Sequence, residues 1–278
     1  MRNISADEIE QAVADLCIQA CCILPEDVSL ALAEAGRRES SDLGKQVFSD
    51  LRENELLAKT KMRPICQDTG MVIVYVDLGT DAHLEGDLYQ AVNRGVARGY
   101  VDGCLRKSTL DPISRKPYTD NTPAIVHLRL MEGDRMKITV APKGAGSENK
   151  GVLKMLLPGA GIAGIEDFVV QAVSEAGSGF CPPGIIGVGI GGNMESACLL
   201  AKRQLLRRTD EPSPDPVLRE MEQRLVARIN ALNIGPMGYG GTTTVLAVHI
   251  GKEPTHIAQL PVAICFQCHA ARHAEVLL

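Results

Sequence analysis

Three cysteines stand in turns beside apolar runs. Cys66 lies in Pro-Ile-Cys-Gln-Asp-Thr-Gly (64–70), Cys181 opens Cys-Pro-Pro-Gly (181–184), and Cys268 closely follows Pro-Val-Ala-Ile-Cys-Phe (261–266). Thiolates are the usual protein ligands of iron–sulfur clusters. Four thiolates would saturate a four-iron cluster. Three would leave one iron open to bind a substrate oxygen and act as a Lewis acid. The three positions are far apart in the chain and form no compact ligand motif, so spacing alone leaves buried core cysteine or zinc as alternatives. The remaining cysteines favour the core. Cys17, Cys21 and Cys22 fall on a predicted helix, and Cys198 sits in another among Ala and Leu. Cys104 lies close to Arg106. Cys265 makes a CxxC pair with Cys268, a spacing also used in redox chemistry, although strand alternation places Cys265 inside the preceding strand.

Polar groups adjoin these cysteines. Gln67 and Asp68 follow Cys66 directly, and a carboxylate facing an open iron could transfer a proton. The bland reading of an Asp before Thr-Gly is a turn closed by its own side chain. Arg106, in Leu-Arg-Lys-Ser (105–108), suits a clamp on a carboxylate or a solvated surface charge. His256, after Pro-Thr, could donate to a substrate oxygen or stand exposed in a loop. The stretch Lys-Gly-Ala-Gly-Ser-Glu-Asn (143–149), with Gly144 and Gly146, could offer backbone N–H groups to an anion. It lacks the Gly-Lys-Ser/Thr of a nucleotide P-loop.

The elements that must position these residues follow from pattern. Ser5-Ala6-Asp7-Glu8 predicts a capping box, with Ile9, Val13, Leu16, Cys17 and Ala20 at helical spacing after it. Pro25 starts a second helix that Gly36 ends. A third runs from Asp42 to Lys59 with Leu43, Val47, Leu51 and Leu56 on one face, so about residues 1–62 are expected to be helical. From 63 to 278 strands and helices alternate. Strands are expected at 71–79, 124–130, 135–142, 185–192, 242–250 and 261–266, with helices at 84–99, 165–176, 194–208 and up to 232. Met131–Asp134 reads as a hairpin turn. No internal repeat is visible. The expected fold is a single α/β domain over 1–278, a mixed sheet flanked by helices with a helical N-terminal segment.

Composition narrows the function classes. The chain has 278 residues, near the upper limit for one core and also enough for two small domains. It is 45% hydrophobic but only 3% aromatic, without Trp, so its core must be Val, Ile, Leu and Ala. A net charge of −5 disfavours nucleic acid as a partner. No apolar run approaches the length of a membrane helix, and Met-Arg-Asn-Ile-Ser-Ala-Asp-Glu carries no apolar signal core. Nine cysteines fit a reducing compartment, where structural disulfides are rare. A cytoplasmic protein without membrane contact is expected.

Taken together, Pro64–Gly70, Lys143–Asn149, Cys181-Pro-Pro-Gly-Ile-Ile-Gly-Val-Gly-Ile-Gly-Gly192, Asn233-Ile-Gly-Pro236 and Cys268-His269 resemble the class I fumarase family, including the related L-tartrate dehydratases, over roughly residues 5–275. The resemblance implies a 4Fe-4S cluster held by Cys66, Cys181 and Cys268, with the unliganded iron binding the substrate hydroxyl and carboxylate. It implies acid–base chemistry at Asp68 and substrate binding by Gln67, Arg106, Gly144 and His256. Some members of the family carry a second, C-terminal domain. This chain stops at Leu278, soon after the last cluster motif, and so looks like the alpha subunit of a hydro-lyase with a separate beta subunit that supplies the rest of the site, in a heterotetramer of two alpha and two beta. Fumarate hydration to (S)-malate is the activity implied first, with tartrate dehydration as the alternative and a non-catalytic iron–sulfur redox or sensor protein as a distant one. Ser147-Glu148-Asn149 leans toward the fumarases.

Overall fold

The computed structural model describes residues 2–278. In chain order the elements are β1 (Arg2–Ser5), α1 (Ala6–Cys22), α2 (Glu26–Arg38), α3 (Asp42–Lys61), β2 (Met71–Gly79), β3 (Ala82–Glu85), α4 (Leu88–Asp102), β4 (Ile125–Met131), β5 (Met136–Lys143), α5 (Ala145–Glu148), β6 (Val152–Leu156), α6 (Gly161–Ala176), β7 (Gly184–Gly192), α7 (Met194–Gln204), α8 (Pro216–Asn230), β8 (Val245–Thr255), β9 (Leu260–Gln267) and β10 (Ala274–Leu277). Helices and sheets of mixed direction give the α/β class that the sequence predicts. The chain groups into two compact units. One contains residues through Pro25, Asn54–Ala145 and Arg272–Leu278; the other contains Glu26–Glu53 and Gly146–Ala271. Grouping follows packing rather than chain order, and the N-terminal helices are shared out between the units.

In the first unit, α1 begins as its sequence requires. Ser5 Oγ accepts the Glu8 N–H at 3.2 Å, and the Glu8 carboxylate accepts the Ser5 N–H at 2.8 Å. Each satisfies a donor that the helix start would leave open. Ile9, Val13, Leu16 and Cys17 are buried against Val74, Val76, Tyr100, Met136, Ile138 and Val140. By length and composition Ala6–Arg38 is apolar enough to cross a membrane, contrary to expectation. Here it forms α1 and α2, and the apolar face of α1 lies in this core. Two strands stand where helix was expected. Residues 2–5 form β1 and pair in parallel with β3, which replaces the predicted start of α4.

The main sheet of this unit has the order β10-β5-β2-β4. The predicted hairpin between β4 and β5 is therefore absent. Central β2 separates them, pairing parallel with β4 and antiparallel with β5. The connection crosses the end of β2 at Gly79. The Gly79 N–H donates to Arg135 O at 2.8 Å, and a Cβ there would lie 2.3 Å from Gly133 O. Only glycine admits that approach.

The second unit repeats this plan. Its sheet has the order β6-β9-β7-β8, with central β7 parallel to β8 and antiparallel to β9. In both units a central strand, a helical crossover, a parallel neighbour and then an antiparallel neighbour follow in sequence, and an edge strand from elsewhere pairs antiparallel with the last. The repeat is one of topology, invisible as residue identity. The core packs Val169, Val173 and Phe180 with Ile186, Val188, Leu225, Ile229, Ile250 and Phe266. The face of α3 differs from expectation. Leu43 and Leu56 are exposed, while Phe48 is buried against Gly36 of α2. The small surface of Gly36 admits the ring, and this rotates the buried stripe.

Candidate functional site

The shared plan puts the candidate motifs at one end of each sheet. A residue preceding the central strand and one following its antiparallel neighbour lie at the same end, because antiparallel strands run oppositely. In the first unit these segments are Cys66–Gly70 before β2 and Lys143–Ala145 after β5, with Met71 opposite Lys143. In the second they are Cys181–Pro183 before β7 and Cys268–His269 after β9, with Ile185 opposite Gln267.

Four carbonyls in and beside the Cys66 turn accept hydrogen bonds from other segments. Ile65 O accepts from Asn54 Nδ2 at 2.8 Å, Thr69 O from the Tyr100 hydroxyl at 2.6 Å, and Gly70 O from Asn121 Nδ2 at 3.1 Å. Asp68 O accepts from the Arg272 guanidinium. The Thr69 hydroxyl donates to Arg106 O at 2.8 Å, which ties the Arg106 backbone to the same turn and leaves its side chain exposed. Burial pushes the Tyr100 hydroxyl well above its usual range, so it stays protonated and keeps donating.

The half-buried thiol of Cys66 donates to Gln67 Oε1 at 3.6 Å. The Asp68 carboxylate accepts the Gly70 N–H at 2.9 Å on one oxygen, the expected side-chain turn, and the Ala145 N–H at 2.8 Å on the other. Each oxygen keeps a further lone pair. Gly144 packs so closely that a Cβ would lie 3.1 Å from both Asp68 Oδ2 and Arg272 Nη2. Cys66, Gln67, Asp68, Gly144 and the Arg106 backbone are thus one local assembly. Ser147 is buried and Glu148 pairs with Lys202.

In the second unit Cys181 adopts a left-handed φ of 55°. Its N–H donates to Ser178 O at 3.0 Å, and its carbonyl accepts the His269 N–H at 3.2 Å. Met237, after the Asn-Ile-Gly-Pro motif, donates its N–H to Pro182 O at 2.7 Å. These bonds bring the Cys181 and Cys268 turns together. They do not bring His256. Thr255 pairs with Gly192 at the other end of β7, and 9 residues at about 3.3 Å each separate the two ends by roughly 30 Å. Within this unit β8 runs parallel to β7 and delivers His256 to the end of the sheet away from these cysteines. Its Nδ1 accepts the Ala258 N–H at 3.1 Å in an exposed loop.

The sequence reading missed Arg272, Tyr100 and Asn121. Arg272 carried a signal, a cation between Ala-Ala and His just after Cys268. Tyr100 and Asn121 lie outside every motif and carried none.

The donor set has a definite character. Cys66, Cys181 and Cys268 are half-buried, in turns, and free of disulfides. Cys17 and Cys21 are fully buried, and burial pushes their thiols up, that of Cys21 to about 12. Core cysteines held as thiols are poor metal ligands. Three soft, reachable sulfurs suit iron–sulfur chemistry.

Residues 10–277 match the fumarate hydratase (Fumerase) family. The chain belongs to the class I fumarate hydratase family. A putative L(+)-tartrate dehydratase subunit alpha of Methanocaldococcus jannaschii is 38% identical over 274 residues, 96% of each chain. An L(+)-tartrate dehydratase subunit alpha of Escherichia coli is 29% identical over 278 residues, covering 99% of this chain and 92% of the relative. Fumarase-family membership makes this a chain of the hydro-lyase class and accords with a 4Fe-4S cofactor. The relatives' designation as alpha subunits accords with a second subunit.

Proposed function

We propose that this protein is the cluster-carrying alpha subunit of a cytoplasmic hydro-lyase that interconverts fumarate and (S)-malate. Its partner is a beta subunit, in a complex of two alpha and two beta chains. Family membership across residues 10–277 carries the reading. Cys66, Cys181 and Cys268 are the thiolate ligands of a 4Fe-4S cluster in this proposal. When bound, such a cluster supplies one iron without a protein ligand, a Lewis acid for a substrate oxygen.

The chain's own residues do the rest. Asp68, fixed by the Gly70 and Ala145 N–H groups, keeps lone pairs free to take a proton. Gln67 offers an amide to a substrate oxygen, and the exposed Arg106 guanidinium can grip a carboxylate with two parallel hydrogen bonds. Gly144, packed directly against the Asp68 carboxylate, is a further substrate contact in this proposal. His256 lies at the end of its own sheet away from Cys181 and Cys268.

L-tartrate dehydration is a second reading, favoured by the names of the relatives. Anaerobic assay of the alpha and beta subunits together on fumarate, (S)-malate and L-tartrate decides between them. Turnover of fumarate and malate with a higher kcat/KM than L-tartrate is expected. The reverse order establishes the second reading, and no turnover of any of the three overturns both.

A further inference from the structure

We propose that Arg272 is a positioning residue for Asp68. The inference rests on the proton-transfer role given to Asp68 above. Arg272 is 2% exposed and lies two residues before Ala274, the first residue of β10, which pairs with Val140 of β5. The C-terminal strand thereby sets Arg272 beneath the turn that precedes β2. Its Nη1 donates to Asp68 O, and its Nη2 lies 3.1 Å from where a Gly144 Cβ would stand. Its Nε is buried and meets no acceptor among the described residues.

A buried cation with an orphaned donor is costly to fold around. A residue serving packing alone would more economically be apolar. What the guanidinium achieves is geometric. Asp68 is held at its side chain by the Gly70 and Ala145 N–H groups and at its carbonyl by Arg272. With the peptide plane after Asp68 fixed, its Cα is anchored and only rotation about the Cα–C bond is left to aim the Cα–Cβ direction. The two carboxylate bonds then set its rotamer. Arg272 also backs Gly144, so the strand-end loop that supplies the Ala145 N–H rests on the same planar group. A lysine ammonium would keep the charge and one hydrogen bond but not this planar support.

The test compares wild type, Arg272→Met and Arg272→Lys, each anaerobic, cluster-loaded and paired with the beta subunit. Misplacing a reacting group by about 1 Å costs on the order of 10²-fold in rate. Arg272→Met should therefore lower kcat by about that factor, with KM within about threefold of wild type and iron and sulfide content unchanged, while Arg272→Lys recovers about tenfold. Amide hydrogen exchange reads the geometry without turnover. Residues 66–70 and 143–145 should exchange about tenfold faster in Arg272→Met, with 184–192 unchanged. Should the Met variant not fold, Arg272→Lys carries the test, with faster exchange over 66–70 and lower kcat at constant KM. Unchanged exchange over 66–70 overturns the proposal, as does a kcat equal to wild type. If exchange responds as expected but the wild type turns over no dicarboxylate, the positioning role stands and the hydro-lyase reading falls.

Discussion

At the scale of the residue, burial separates the core thiols of Cys17 and Cys21 from the three proposed ligands. Cys17 and Cys21 are fully buried in the first core, and burial holds them as thiols. Cys66, Cys181 and Cys268 stand in turns whose backbones are pinned. Cys66→Ser, Cys181→Ser or Cys268→Ser should each remove most of the iron and sulfide and the visible absorbance. Cys17→Ala should keep the cluster and cost about 1–2 kcal/mol of stability. A Cys17 variant without iron, or a Cys181 variant with its full complement, would reassign the ligands. Arg106 poses the same kind of question. Its backbone is tied to Thr69 while its guanidinium is exposed, an arrangement suited to meeting a ligand. Arg106→Lys loses the bidentate fork and should cost roughly 2–3 kcal/mol in kcat/KM with an unaltered cluster spectrum. Wild-type kinetics would return Arg106 to the solvated surface.

At the scale of the element, the sequence patterns locate strands and helices well and their neighbours poorly. The run Met71–Gly79 and the capping box at Ser5 stand where they were read, because each is set by local alternation or local hydrogen bonding. The hairpin at Met131–Asp134 fails because β2 inserts between β4 and β5, and nothing within those residues specifies a strand from elsewhere. In the second unit β7 likewise separates β8 from β9. One junction between elements has a pH signature. His249 of β8 is buried, its ring nitrogen 3.1 Å from Gln204 O at the end of α7, and burial lowers its pKa to about 4. Gln204 O can only accept, so the neutral ring donates from Nδ1. In the unfolded chain His249 takes a proton as pH falls below about 6.5, while in the fold it does so only near 4. Its contribution is therefore complete above about 6.5 and is lost as pH falls toward 4. Between pH 7 and pH 5 the fold should lose about 2 kcal/mol through this residue, and His249→Gln should flatten that slope in denaturant titrations. An identical slope in the variant would assign the acid sensitivity elsewhere.

At the scale of the whole molecule, two units share one topology, and each gathers its site motifs at the end of its sheet where the central strand begins. Among the proposed site residues of this chain Asp68 is the one carboxylate. Elimination of water across a carbon–carbon bond needs proton transfer as well as a leaving oxygen, and the relatives are named as alpha subunits. The isolated chain should therefore bind iron and sulfide yet be nearly inactive, and adding the beta subunit should raise malate dehydration by roughly 10²–10⁴-fold, the scale of a missing acid–base group. Full turnover by the isolated chain would require a second base within residues 2–278. The sequence by itself determined the family, the α/β class, the three candidate thiols and the neighbours Gln67 and Asp68, because these are carried by contiguous motifs whose chemistry is local. Only the tertiary structure decided that His256 lies away from Cys181 and Cys268, that Asp68 is braced by Ala145 and Arg272, and that the two sheets repeat one plan. Those facts depend on which strands pair and in which direction, a choice made by packing between segments far apart in the chain.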